Sequence, residues 1–173
     1  IQSQRIAIYG VGLIGGSVAL ALRAAGYEGT ILGFGRRESE LTRAVALGVI
    51  DEFSTAADKI AANADLHLLC VPVLAMESVL AAIARVCRDD AVITDVGSTK
   101  QSVIAAARRA FGALPSGFVP AHPIAGTERT GVAAAFPELY RERLAILTPT
   151  EQSAESSVRE VEQLWRACGA RTI

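Results

Sequence analysis

"RIAIYGVGLIGGSVALAL", residues 5–22, is the stretch that decides how this chain folds. Arg5–Tyr9 is a short apolar run that stops at glycines, as a strand buried on both faces does. Gly10, Gly12 and Gly15 follow in the spacing G-x-G-x-x-G, and Ser17–Ala25 reads as a helix ended by Gly26. A glycine triplet between a strand and a helix has a specific use. Gly10 permits a tight turn, Gly12 lets a pyrophosphate approach the backbone, and Gly15 lets helix and strand pack closely. Leu13 and Ile14 complete the same cofactor-binding stretch, with the phosphates on the helix N-terminus. Ser17 is expected to face the helix interior rather than a phosphate.

The rest of the chain continues the alternation. Strands are predicted at Thr30–Phe34, Asp65–Val71, Ala91–Asp95, Gly117–Ala121 and Arg143–Thr148, with one more beginning at Ala170. Helices are predicted at Glu38–Leu47, Leu74–Val86, Lys100–Phe111 and Ser153–Cys168. Such alternation predicts an α/β fold: a doubly wound, mostly parallel Rossmann-type sheet with helices on both faces, forming one dinucleotide-binding domain over residues 1–173. Ligands of such sheets lie at the carboxyl ends of the strands, so the residues just after strands carry the information.

Composition narrows the class. The 173 residues are 51% hydrophobic and 20% charged, which describes a globular chain and excludes disorder. A net charge of −1 gives no electrostatic case for nucleic acid or an anionic membrane, and Arg36–Arg37 and Arg108–Arg109 are too short to supply one. Cys70, Cys87 and Cys168 are widely spaced and odd in number, so neither a metal site nor a disulfide framework is expected. They read as apolar fillers in a reducing, cytoplasmic compartment. No apolar run has membrane-spanning length, and the glycine-broken start is not a signal peptide. The chain opens on Ile1 rather than Met, which reads as a trimmed start.

Four strand ends deliver the candidate site. The second strand runs into "GFGRR", where Gly35 stands in place of the acid that usually holds the ribose 2′-hydroxyl of NAD. With Arg36 and Arg37 following, NADP is favoured over NAD: the repulsion against a 2′-phosphate is gone and a bidentate cation is present. Glu38 remains available as a ribose contact in an NAD enzyme. Val71 and Pro72 turn the chain across the cofactor after the third clear strand. "TDVGSTK", Thr94–Lys100, then places Ser98 and Lys100 on a turn into a helix, where Ser98 serves either the chemistry or as an N-cap. "AHPIAGTERTG", Ala121–Gly131, contributes His122, the one group on this rim with an ordinary pKa near neutrality and therefore suited to a general base. Thr127 and Glu128 either line the site or merely cap and face water. His67, inside an apolar strand, reads as a core histidine, and Asp95 as a residue that fixes its loop.

These stretches together, "GVGLIGGS", "ALGVIDE", "CVP", "TDVGSTK" and "HPIAGTERTG", resemble the prephenate and arogenate dehydrogenases along the whole chain. The last two are the specific ones; related folds such as the β-hydroxyacid dehydrogenases and pyrroline-carboxylate reductases share only the glycine loop. The resemblance implies NAD(P)-dependent oxidative decarboxylation of prephenate or arogenate in tyrosine biosynthesis. His122 accepts the proton of the ring hydroxyl as hydride leaves for the nicotinamide, and carbon dioxide is lost as the ring becomes aromatic. Ser98 orients that hydroxyl, and Lys100, Thr127 and Glu128 match positions lining the substrate pocket. Arg129 matches a basic position of unassigned role. Members of the family continue into a helical domain that dimerises and binds the substrate carboxylates. No such region follows here, so this segment is expected to bind the dinucleotide and turn over little substrate. Two other readings stand beside this one: an oxidoreductase of the same fold acting on a hydroxy acid or imine, and a non-catalytic nucleotide-sensing module.

Overall fold

A computed structural model describes residues 1–173. Six strands form one wholly parallel sheet: β1 (Arg5–Tyr9), β2 (Thr30–Phe34), β3 (Glu52–Ser54), β4 (Leu66–Leu69), β5 (Val92–Asp95) and β6 (Phe118–Val119). Their order is β3-β2-β1-β4-β5-β6. Strand order thus reverses beside β1, which puts the switch point of the sheet at the glycine turn. A second, three-stranded sheet joins β7 (Ala121–Pro123), β8 (Leu144–Leu147) and β9 (Arg171–Thr172), with β7 antiparallel to β8.

Helices cover both faces because the strands are apolar on both. Ile6 and Ile8 of β1 pack with α1 (Leu13–Ala24) and α6 (Glu155–Ala167), where Leu22 and Trp165 are fully buried. Ala7 and Tyr9 point the other way, into a core shared with α3 (Ala57–Ala61), α4 (Val73–Ala84) and α5 (Lys100–Phe111). The remaining helix, α2 (Glu38–Ala46), buries Leu41 and Ala44 against the first of these cores. No helix is long and apolar enough to cross a membrane.

The sequence reading departs from this in three places. Helix α1 begins at Leu13, four residues before the predicted start, because the glycines of the motif belong to its first turns. Packing overrides the low helix propensity of glycine there. The short pair β3 and α3 was not predicted; three strand residues and five helical ones carry too little periodicity to show. The single strand expected at Gly117–Ala121 is two, split at Pro120, which lacks the N–H a ladder needs.

His67 lies in β4 with no exposed surface, its Nδ1 2.9 Å from the Tyr9 hydroxyl and its Nε2 without a partner. Burial pushes its pKa from 6.5 down to about 4. Between those values the unfolded chain binds a proton that the folded chain refuses. Stability is therefore complete above about pH 6.5, falls as the pH drops toward 4, and levels off below; the fall attributable to this ring is about 3 kcal/mol. Urea unfolding of the wild type and of His67→Gln between pH 4 and 8 measures it. The variant should show a shallower fall, and equal slopes for the two would refute the assignment.

Candidate active site at the carboxyl edge of the sheet

The glycine turn is built by close contacts. Gly10 has φ of +100°, donates its N–H to the Phe34 carbonyl at 2.9 Å, and abuts the Cys70 carbonyl so closely that a Cβ would come within 2.9 Å of it. Gly15 lies in the first turn of α1 on its buried side, where a Cβ would fall 2.3 Å from the Gly10 carbonyl oxygen and 2.7 Å from Ile8. Gly12 is the opposite case. It caps α1, and a Cβ there would meet nothing within 4 Å. Its carbonyl accepts the first helical bond, from the Gly16 N–H at 2.9 Å. The N–H groups of Leu13, Ile14 and Gly15 precede that bond and have no helical partner. An anion at Gly12 would find room, donors and the positive end of the helix dipole together.

A groove of about 860 Å³ opens here. Gly10, Gly12, Gly35, Arg36, Arg37, Val71 and Pro72 line it, as expected from the sequence. Leu13 and Gly15 are instead buried beneath it and offer a ligand only their backbone, while Ile14 is half-buried, its carbonyl accepting the Tyr140 hydroxyl at 2.8 Å. Arg36 and Arg37 are exposed and in no ion pair. Glu38 does not reach the groove, whereas Glu40 does. Glu40, Leu41, Ala75, Ser78, Val79 and Gly131 are lining residues the sequence reading missed. The helical period of α2 and α4 marks faces but not which face meets a ligand. Gly131, at the end of the histidine loop, is that loop's one residue in the groove; Ser98, Lys100, His122, Thr127 and Glu128 do not line it.

Gly16 and Ser17 hold the return leg of that loop. A Cβ on Gly16 would lie 2.9 Å from Ala135, and the Ser17 hydroxyl accepts the Phe136 N–H at 3.1 Å. Ser17 therefore faces inward, away from any phosphate.

His122 sits in β7, half-buried, with Nδ1 3.0 Å from the Val96 carbonyl oxygen. Ser98 is exposed two residues beyond that carbonyl and makes no capping bond; the N-cap position of α5 falls on Thr99. Thr127 and Glu128 are exposed on the loop after β7, where the Thr127 hydroxyl accepts the Arg129 N–H at 3.1 Å and closes a turn. Lys100 places its ammonium between the Asp95 carboxylate and the Ala121 carbonyl, using two of its three donors. Asp95 has no exposed surface and holds its own loop through the Gly97 N–H at 2.8 Å.

This arrangement matches proteins of known kind. The family described as prephenate dehydrogenase, nucleotide-binding domain, matches residues 18–173. The chain belongs to this family. Among its relatives, the cyclohexadienyl dehydrogenase of Zymomonas mobilis is 38% identical over 169 residues, 97% of this chain and 57% of that protein. The prephenate dehydrogenase of Aquifex aeolicus, in complex with hydroxyphenyl propionate and NAD+, superposes with a TM-score of 0.92 at 33% identity, over 100% of this chain and 60% of that one. The arogenate dehydrogenase of Synechocystis gives 0.87 at 28% identity, over 98% of this chain and 58% of that one. The chain thus spans somewhat more than half the length of these relatives. It is the part of the prephenate dehydrogenase family that binds the nucleotide, and the groove at Gly12 is where its geometry admits one.

The two glycines separate experimentally. Gly12→Val should lower stability by no more than about 1 kcal/mol, the cost of an apolar N-cap, while weakening dinucleotide binding at least roughly tenfold. Gly15→Ala should cost about 1–3 kcal/mol by overpacking. Calorimetric scans and dinucleotide titrations of both variants check this; a Gly12→Val protein that binds normally would show that the phosphates lie elsewhere.

Proposed function

We propose that this chain is the dinucleotide-binding and proton-accepting part of an NAD(P)-dependent enzyme that oxidatively decarboxylates prephenate or arogenate. The bond from His122 Nδ1 to the Val96 carbonyl carries this reading. A carbonyl oxygen can only accept, so in the neutral imidazole Nδ1 holds the proton and Nε2 keeps its lone pair. An alcohol proton can then pass to Nε2 as its C–O bond becomes a carbonyl. When bound, the nicotinamide supplies the hydride acceptor. Ser98 is close enough in the chain to the Val96 carbonyl to orient the same hydroxyl, and Thr127 and Glu128 offer polar groups from the opposite loop. Lys100 gives two of its three ammonium donors to Asp95 and Ala121, which leaves one for a substrate group. Groups that bind the substrate carboxylates, and a dimer interface, belong to regions outside residues 1–173. The lengths of the relatives support this, since the chain covers 57% and 60% of two of them.

His122→Asn in the full-length enzyme tests the proton acceptor. The turnover rate should fall about 10²–10⁴-fold while dinucleotide affinity holds. A rate within twofold of wild type would remove His122 from the mechanism and favour a nucleotide-sensing role.

Within this reading we favour NADP. Gly35 brings no carboxylate to the ribose, and two unpaired guanidiniums border the groove. Glu40 is the acid that competes with this choice. Separate titrations with NADP and NAD decide it: NADP should bind more tightly, and Arg36→Ala should weaken NADP roughly 10–100-fold with little effect on NAD. Tighter binding of NAD by the wild type would reverse the assignment.

A further inference from the structure

The strand that carries His122 leaves one sheet for another within three residues. Val119 pairs with Thr94 of β5, the Pro120 carbonyl already accepts the Thr148 N–H on the β8 side, and His122 pairs with Ile146 of β8. Backbone pairing to β5 therefore ends just before the residue that must be aimed. The Asp95 side chain takes its place. Its Oδ1 accepts the Ala121 N–H at 3.2 Å, and its Oδ2 accepts the Lys100 ammonium and the Gly97 N–H. The same ammonium donates to the Ala121 carbonyl. Both polar groups of Ala121 are thus held by one ion pair.

That pair is buried at a cost. Asp95 has no exposed side-chain surface and Lys100 only 17%. Burial is the largest influence on each, raising the Asp95 carboxyl and lowering the Lys100 ammonium against the attraction between them. Buried ion pairs seldom improve stability over apolar residues of similar volume, so stability alone does not account for this one. Its position does. Val96 follows Asp95 and His122 follows Ala121, so tying residue 95 to residue 121 brings the Val96 carbonyl to the imidazole Nδ1.

We propose that Asp95 and Lys100 are positioning residues. They take over the ladder bond to β5 that the Ala121 N–H would make next after Val119, and so hold the His122 ring on the Val96 carbonyl, in the tautomer with its lone pair on Nε2. The proposal rests on His122 being the proton acceptor, but its test needs no substrate.

Imidazole ¹⁵N spectra of this chain at pH 8 read the tautomer directly. The sequence has only two histidines, and buried His67 serves as the internal reference. Wild-type His122 should show a protonated Nδ1 and an unprotonated Nε2. In the double variant Asp95→Leu, Lys100→Met the amide spectrum and dinucleotide affinity should stay native while His122 averages between tautomers. Should that variant not fold, Asp95→Ala, which removes the acceptor of the Ala121 N–H while the part-exposed Lys100 ammonium can turn to water, gives the same reading. A folded variant that keeps the wild-type tautomer overturns the proposal, as does a wild type without the Nδ1 proton. If the tautomer shifts as expected but His122→Asn leaves the full-length rate intact, the positioning stands and the proton-acceptor reading fails.

Discussion

Everything at the working edge depends on how closely α1 approaches β1. The helix starts against the strand only because Gly15 has no side chain; any Cβ would overlap the Gly10 carbonyl oxygen. That approach turns the unpaired N–H groups of the first helical turn toward the groove beside Gly12. It also sets the opposite side of α1, where Gly16 and Ser17 receive Ala135 and Phe136. One close contact therefore locates the free N–H groups at the start of α1 and the far end of the histidine loop together. A wider helix–strand spacing would displace both.

The two histidines show how surroundings assign roles to the same side chain. His67 faces Tyr9 inside the core, loses basicity to burial, and leaves one ring nitrogen without a partner. His122 stands at a sheet edge, gives one nitrogen to a carbonyl, and keeps the other side half-open. The first arrangement disfavours protonation altogether. The second leaves a directed lone pair on a half-buried ring. A carbonyl partner is enough to make this difference, because it fixes which nitrogen carries the proton.

Strand ends were legible in the sequence because glycine, proline and the apolar runs between them are local signals. The groove residues Gly10, Gly12, Gly35, Val71 and Pro72 all follow from that logic. Glu40, Ser78 and Gly131 do not, since which side of a helix or loop meets the groove depends on how it packs. Lys100 shows the same limit. Its place after "VGST" suggests a hand held out to substrate, yet the nearby buried carboxylate and the Ala121 carbonyl claim two of its three ammonium donors.

The sequence by itself determined the alternation of the longer strands and helices, the glycine turn and the candidate proton acceptor. Each rests on neighbours along the chain: period, a missing side chain, a missing N–H. The tertiary structure alone decided the break at Pro120 into two sheets, the face Lys100 presents, and the nitrogen of His122 that stays free. Those rest on partners 21 and 26 residues away in sequence, Lys100 with Ala121 and Val96 with His122. Hydrogen bonds across such separations exist only once the sheet has assembled.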